Sequence, residues 1–271
     1  MNSSSDVSPS PAPTSPWQTL RRGVGAGLFS AGMLLSAALV SSLEILCFWA
    51  PFTIRYRITK LWTGFCMGWL KLTCGLNYQI QGREYLPREA MVIMAKHQST
   101  WETLFFNYQL PPLAWVLKRE LLWVPFFGWG MALLEPISID RRAKRGAMRQ
   151  VLEQGKAHLE RGRCVLIFPE GTRMPPGTRR RYGASGARLA VKSGRPILPI
   201  AHNAGDYWPR KTFIKHPGTI QVVIGPPIPT ADRTPDAVLA ETEAWIEGAM
   251  ERISLTQPIR RLDEGRNTAT D

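Results

Sequence analysis

The residues with the clearest chemical potential are a histidine and a carboxylate five positions apart. His97 and Glu102 follow the apolar run MVIMA at 91–95, which predicts a buried strand. A carboxylate that orients an imidazole and stabilises its protonated form makes the ring an effective general base. Residues five apart on one helix lie about 140° from each other, so pairing requires His97 in a turn and Glu102 in the first helical turn. The imidazole would then lie at the carboxyl end of a strand, where open α/β sheets usually bind ligands.

The same spacing has a structural explanation. Ser99 and Glu102 form the pattern S-x-x-E, which is typical of a capping box at the start of a helix. One carboxylate oxygen can cap the helix while the other accepts a hydrogen bond from His97. The spacing alone therefore leaves both roles open.

A second group of polar residues follows the apolar run CVLIF at 164–168. Here the sequence turns through Glu170, Gly171, Thr172 and Arg173. The planar guanidinium of arginine can bind a phosphate through two parallel hydrogen bonds, and glycine permits close backbone approach to a ligand. The turn is therefore a candidate anion site. A solvated turn is one alternative, and nucleic-acid binding by the basic run at 179–181 is another.

A third stretch, residues 118–142, is aromatic and apolar with charges at both ends. Lys118 follows a predicted strand and Arg141 follows a short one, so both are weaker candidates for the same anionic ligand. The aromatic residues between them fit either the protein core or a surface that contacts an acyl chain or lipid.

Composition narrows the possible partners. The chain has 271 residues and 34 Lys and Arg against 21 Asp and Glu, which gives a net charge of +13. This excess favours an anionic partner, either nucleic acid or an acidic membrane surface. The aromatic residues do not alternate with the basic runs, which argues against nucleic acid. The four cysteines show no paired ligand spacing, so we expect neither a metal site nor a disulfide framework.

The N-terminal part of the chain predicts an attachment to a membrane. Residues 1–22 form a Ser- and Pro-rich tail that we expect to be disordered, and 23–75 hold the predicted membrane and interfacial helices. Residues 23–52 contain a single charge, Glu44, and exceed the roughly 20 apolar residues that a membrane span requires. A cleaved secretory signal peptide would have an apolar region of only about 7–15 residues.

The next segment, up to Gly75, predicts an amphipathic helix that lies in the membrane interface or, alternatively, packs on the core. Its apolar stripe contains Ile58, Leu61, Trp62, Phe65, Trp69 and Leu70, and its opposite side contains Arg57, Lys60, Gly64, Gly68 and Lys71.

Residues 76–256 predict an α/β domain, because short apolar strands alternate with amphipathic helices. The predicted strands are 78–82, 91–95, 113–117, 164–168, 196–201 and 219–225, and the predicted helices are 100–109, 144–161, 184–194 and 235–253. Residues 257–271 are polar and predict a frayed C-terminal tail.

Four ordered blocks, HQSTWE, ISIDRR, FPEGTR and RPILPIA, give the chain a family resemblance over roughly residues 76–226. It resembles the membrane-bound glycerolipid acyltransferases, and most closely the bacterial 1-acyl-sn-glycerol-3-phosphate acyltransferases. Three features depart from the family pattern. Glu102 stands where the commonest form has Asp, Lys96 where many members have Asn, and YGASGA at 182–187 lacks a frequent lysine.

The resemblance implies a mixed sheet flanked by helices and an enzyme that acylates the sn-2 hydroxyl of 1-acyl-sn-glycerol-3-phosphate to give phosphatidic acid. It implies that His97 is the base, Glu102 its partner, and the turn 170–173 the phosphate site. It further implies acyl-CoA or acyl carrier protein as co-substrate, no cofactor, and direct transfer without an acyl-enzyme. The expected location is the bacterial inner (cytoplasmic) membrane with the site on the cytoplasmic side. The charge of the basic runs 141–149 and 179–181 leaves three interpretations open, which are contact with anionic lipid, contact with the phosphates of CoA or with an acidic carrier protein, and a solvated face.

Two other functions remain open at this point. The acceptor can be another lysolipid, such as lyso-ornithine lipid. A membrane-bound serine hydrolase is the second possibility, with Ser99 as the nucleophile, although GASGA at 183–187 does not match the G-x-S-x-G pattern.

Overall fold

The computed structural model describes residues 15–124, 127–140 and 144–262. Two long helices precede an α/β domain, and each predicted strand and helix of that domain is confirmed with small shifts at its ends. The helices are α1 (Pro16–Leu46), α2 (Phe52–Cys74), α3 (Trp101–Gln109), α4 (Phe127–Leu133), α5 (Lys144–Glu160), α6 (Ser185–Ser193), α7 (Ala204–Tyr207) and α8 (Pro235–Ile253). The strands are β1 (Leu76–Gln81), β2 (Val92–Ala95), β3 (Leu113–Lys118), β4 (Ile137–Ile139), β5 (Cys164–Ile167), β6 (Thr178–Arg179), β7 (Ile197–His202), β8 (Gly218–Ile224) and β9 (Arg260–Arg261).

Within the described residues, seven strands form one sheet in the order β1-β8-β7-β2-β5-β3-β4. The β7–β8 pair is antiparallel and the other pairs of this sheet are parallel, which confirms the expected mixed sheet. One face packs against α2, α3 and Phe29 of α1, while the other face packs against α5, α6 and α8. Parallel β2 and β5 are neighbours, so the loops that leave them meet at the carboxyl edge of the sheet.

Helices α1 and α2 form a closely packed pair. Gly25 lies against the backbone oxygen of Thr73, where any side chain would collide. Trp69 of α2 donates its indole N–H to the carbonyl oxygen of Leu28 (3.0 Å), and Trp62 donates to Ser36 Oγ (3.0 Å). These contacts hold α1 against α2.

Helix α1 is long and apolar enough to cross a membrane, and only 17% of its most apolar stretch is buried. Leu35 and Leu39 are 73% and 72% exposed. Exposed leucines of this kind are costly in water and favourable in lipid. The helix is therefore compatible with membrane association.

The structure changes two details at the ends of the predicted segments. Helix α1 begins at Pro16, capped by Ser15, so the predicted tail 1–22 is partly helical; residues 1–14 lie outside the described part. Arg260 and Arg261 pair with β6, so the predicted polar tail 257–271 contains a short strand; residues 263–271 lie outside the described part.

The predicted apolar stripe of α2 is rotated from the observed one. Leu61 and Phe65 are exposed, whereas Gly64 lies against Tyr108 of α3. The buried residues are Tyr56, Thr59, Thr63, Cys66, Met67 and Leu70. The stripe is displaced because α1 and α3 both cover α2, which leaves large apolar side chains uncovered on its outer side.

Candidate active site

Two loops meet at the carboxyl edge of the sheet and form the candidate site. The segment after β2 carries His97, and the turn after β5 carries Glu170. The backbone N–H of His97 donates to Oε2 of Glu170 (3.0 Å), and the carbonyl oxygen of His97 accepts from the Met174 N–H (2.7 Å). The turn therefore holds the backbone of His97 on both sides.

The predicted pairing of His97 with Glu102 is confirmed geometrically. Nδ1 of His97 lies 2.9 Å from Oε1 of Glu102. The imidazole stacks on the Phe168 ring, with centroids 3.9 Å apart and planes at 9°. The histidine side chain is 15% exposed. Because Nδ1 is engaged by the carboxylate, Nε2 is the ring nitrogen left for a substrate.

Glu102 combines the two roles that its spacing suggested. Its side chain is fully buried and accepts the backbone N–H groups of Gln98 (2.8 Å) and Ser99 (2.7 Å) besides His97. The capping box is incomplete, because Ser99 Oγ accepts from Trp101 instead of the Glu102 N–H. Burial alone would raise the pKa of Glu102, but the neighbouring His202 and His97 and the Ser99 N–H lower it below the ordinary value. The buried carboxylate is thus available in its charged form to orient the imidazole.

A buried ion-pair network supports the two loops from below. Lys96, with 1% of its side chain exposed, places Nζ 2.7 Å from Oε1 of Glu170 and 2.8 Å from Oε1 of Glu247 on α8. The hydroxyl of Tyr182 donates to the same Glu247 oxygen (2.8 Å). Since removal of one partner would strand a buried charge, this network fixes both loops on α8.

Sequence reasoning did not identify Lys96, Glu247 or Tyr182 as parts of the site. The departure of Lys96 from the family pattern was the only available signal. Its partner Glu247 lies 151 positions away, so no local spacing links them.

Glu170, which was predicted to belong to the phosphate-binding turn, contacts internal partners. Its carboxylate is buried on Lys96 and on the His97 N–H. It therefore orients the backbone amide of His97, and no hydrogen bond or ion pair links it to the Arg173 guanidinium within the described residues. Burial raises the pKa of Glu170 to about 7, although Lys96 opposes the shift.

This pKa predicts a pH-dependent stability difference between Glu170→Gln and the unchanged protein. The folded state holds the proton up to about pH 7 and the unfolded chain only to about 4.5, so Glu170 stabilises most below 4.5 and loses this contribution as pH rises through 7. Gln cannot ionise. As the pH rises from 5 to 8, the free energy of unfolding of Glu170→Gln should therefore increase by about 1–3 kcal/mol relative to that of the unchanged protein. The unfolding free energies of both proteins across that range measure this. A difference between them that stays constant or falls with pH would refute the raised pKa of Glu170.

The rest of the turn offers an open cationic group. Gly171 adopts φ 70°, which favours glycine, and a Cβ there would meet open space. The Arg173 guanidinium makes no hydrogen bond or ion pair with any described residue, while its carbonyl oxygen accepts from Nη1 of Arg210 (3.0 Å). Thr172 is partly exposed beside it. Arg173 is therefore placed to bind an anion near His97.

The two weaker anion-binding candidates have different outcomes. Lys118 is exposed at the carboxyl end of β3, which neighbours β5, so it lies at the same edge of the sheet as the turn. Arg141 lies outside the described residues. The predicted aromatic surface is also only partly described; Trp129 is exposed on α4.

A second histidine, His202, lies beneath the site and was missed. Nε2 of His202 lies 2.8 Å from the Lys96 carbonyl oxygen, and Nδ1 accepts from the Ala204 N–H (3.3 Å). Burial lowers the pKa of His202, although the Glu102 carboxylate opposes the shift. Its position at the carboxyl end of a strand next to β2 was the signal that could have revealed it.

The arrangement favours activation of a substrate hydroxyl over a serine nucleophile. Ser99 is completely buried and its Oγ is used by the Trp101 N–H, so it cannot reach a substrate ester. Within the described residues, no three His, Cys, Asp or Glu side chains form a metal-binding group. An oriented imidazole beside an open guanidinium suits transfer of a group to an alcohol that carries a phosphate.

Comparison with known proteins agrees with this class of site. Residues 77–203 match the family model described as Acyltransferase. The chain is 47% identical over 211 residues to 1-acyl-sn-glycerol-3-phosphate acyltransferase of Pseudomonas aeruginosa, covering 76% of this chain and 82% of that protein. It is 32% identical over 177 residues to the human 1-acyl-sn-glycerol-3-phosphate acyltransferase alpha, covering 63% of this chain and 62% of that protein.

The fold also has a solved counterpart. The crystal structure of the 1-acyl-sn-glycerophosphate (LPA) acyltransferase PlsC from Thermotoga maritima superposes with a TM-score of 0.73 at 20% identity, covering 89% of this chain and 99% of that one. The fold and the site thus define an acyltransferase. More narrowly, the chain belongs to the 1-acyl-sn-glycerol-3-phosphate acyltransferase family.

Proposed function

We propose that this enzyme transfers an acyl group from a thioester to the sn-2 hydroxyl of 1-acyl-sn-glycerol-3-phosphate, which yields phosphatidic acid for phospholipid synthesis. One observation carries the proposal. The His97–Glu102 pair, at 2.9 Å, lies next to a turn whose Arg173 guanidinium makes no hydrogen bond or ion pair with the described residues. The names of the relatives support the same acceptor.

In the proposed mechanism, Nε2 of neutral His97 accepts the proton of the lipid hydroxyl as the oxygen attacks the thioester carbonyl carbon. Glu102 holds the ring through Nδ1 and stabilises the imidazolium that forms. The carbon–sulfur bond then breaks, and the imidazolium returns the proton to the leaving thiolate. Both substrates are present together, so no acyl-enzyme forms.

The acceptor phosphate is proposed to bind Arg173 with help from Gly171 and Thr172. Internal pairing of Glu170 with Lys96 keeps its negative charge away from that phosphate. Lys118 is a weaker proposed contributor at the same edge, and Arg141 stays a weaker candidate from the sequence. The enzyme would operate at the bacterial inner membrane from its cytoplasmic side, with anionic membrane lipids as partners of α1.

The Arg173→Lys variant tests the phosphate assignment. Lysine keeps the charge but loses the two-pronged geometry, so the KM for the acceptor should rise about tenfold while kcat changes little. Steady-state kinetics with saturating thioester measures this. Arg252→Lys, on the exposed end of α8, is the matched control. An acceptor KM equal to that of the unchanged protein would remove Arg173 from the phosphate site.

The function itself is tested with purified protein, labelled acyl-CoA or acyl carrier protein thioester, and a panel of lysolipids. Lysophosphatidic acid should be converted to phosphatidic acid with the highest kcat/KM. Preferential acylation of lyso-ornithine lipid would change the acceptor. Thioester hydrolysis without an acylated product, together with labelling by a fluorophosphonate, would replace transfer by hydrolysis.

A further inference from the structure

A basic cleft opens directly beside the active-site turn. It has a volume of about 520 Å³, and residues 169–171 form part of its wall. Arg180, Arg181 and Arg188 line it, together with Asp236 at the start of α8. Glu170 forms part of this wall and also accepts the backbone N–H of His97. The cleft therefore adjoins the residues that hold the catalytic histidine in place.

The charges of the cleft favour an anion. The three arginines are exposed, and none forms a side-chain hydrogen bond or ion pair with another described residue. Of the two acids in the wall, Glu170 is paired internally with Lys96, which leaves Asp236 alone against three guanidinium groups. Gly183 and Ala184 bring the uncapped N-terminus of α6 to the same wall, which adds partial positive charge.

The position of the cleft separates it from the apolar helices. Helices α1 and α2 pack on one face of the sheet with α3, whereas α6 and α8, which bound the cleft, pack on the other face. A lipid phosphate that approaches along the exposed side chains of α1 and α2 reaches the sheet from the opposite face. The cleft therefore suits the water-soluble substrate better than the lipid one.

The concave shape selects among water-soluble donors. Sites for small molecules commonly have volumes of about 300–1,000 Å³, and this cleft falls in that range. A carrier protein presents a convex surface that would rest on the rim and leave the interior unfilled. Several phosphate groups on a compact nucleotide match the three arginines that line this cleft.

We propose that Arg180, Arg181 and Arg188 bind the phosphate groups of the CoA moiety of the acyl donor. The identification of the bound molecule as a donor rests on the proposed function. The acceptor phosphate would bind Arg173, and the donor phosphates would bind the cleft arginines. The two substrates would therefore use separate cationic groups on either side of the turn. The arginines position the donor, and the reacting thioester lies with His97.

The test compares Arg181→Gln/Arg188→Gln with the matched control Arg88→Gln/Lys192→Gln, which removes two exposed charges at the opposite edge of the sheet. The cleft variant should raise the KM for acyl-CoA at least about tenfold, since charge-assisted contacts to phosphate are lost. The KM for lysophosphatidic acid should stay within about twofold, as should both KM values of the control. S-acyl pantetheine, which lacks the nucleotide, should be used equally by the cleft variant and the unchanged protein.

Several results would overturn the proposal. The first is a cleft variant with an unchanged KM for acyl-CoA. The second is a cleft variant whose KM rises for the acyl carrier protein thioester but not for acyl-CoA. The third is an unchanged protein that accepts only the acyl carrier protein thioester. If the cleft variant no longer binds phosphatidylglycerol vesicles but has normal acyl-CoA kinetics, the cleft binds lipid and the proposal is wrong. Calorimetric titration with CoA measures binding to the protein and does not require turnover. If the unchanged protein transfers no acyl group but binds CoA, and the cleft variant loses that binding, the proposed function fails and the cleft assignment stands.

Discussion

Replacement of His97 by alanine should lower kcat for acyl transfer about 10³-fold, the loss typical of a removed general base. Among the residues that the structure describes, neither Ser99 nor His202 can take over the role. Ser99 is buried, and the His202 ring is occupied by Lys96 and Ala204 on its two nitrogens. Transfer of labelled acyl groups to lysophosphatidic acid, measured with both substrates saturating, gives the rate.

The His97→Ala variant should remain folded, because the imidazole is partly exposed and, among the described residues, stacks on one aromatic side chain, Phe168. Its thermal unfolding should match that of His216→Ala, which truncates an exposed histidine remote from β2. The His216→Ala variant should keep the normal rate. A His97→Ala protein that transfers acyl groups at a near-normal rate would refute the base assignment.

The sequence was most informative where the residues of the site lie close together in the chain. His97 and Glu102 are five apart, and their pairing followed from a strand end, a turn and a helix start that are all visible as local patterns. The mixed α/β domain was predicted for a similar reason, because buried parallel strands are short continuous apolar runs between amphipathic helices.

The parts that the sequence did not predict depend on tertiary contacts. Lys96 and Glu247 meet only because α8 returns across β7 to the carboxyl edge of the sheet. The buried stripe of α2 depends on which helices cover it, and α1 and α3 cover two adjacent sides. The arginine cleft combines a loop, the start of α6 and the start of α8, whose proximity no spacing encodes.

Replacement of Glu102 by glutamine should lower kcat about 10²-fold, because the amide preserves the shape of the side chain but removes the charge that orients and stabilises the imidazolium. The glutamine oxygen can still accept the N–H groups of Gln98 and Ser99, so the helix start should persist. If Glu102 only caps this segment, the variant should instead lose stability and keep its turnover. Thermal unfolding and kcat, measured on the same preparation, separate these outcomes.

The turnover of the double variant His97→Ala/Glu102→Gln tests most directly whether the two side chains act as one unit. Groups that act together show strongly non-additive losses. We expect kcat of the double variant to lie within about threefold of that of His97→Ala alone, because the carboxylate has no role once the imidazole is gone. If the two single losses instead multiply to about 10⁵-fold, Glu102 acts independently of His97 and the proposed mechanism is contradicted.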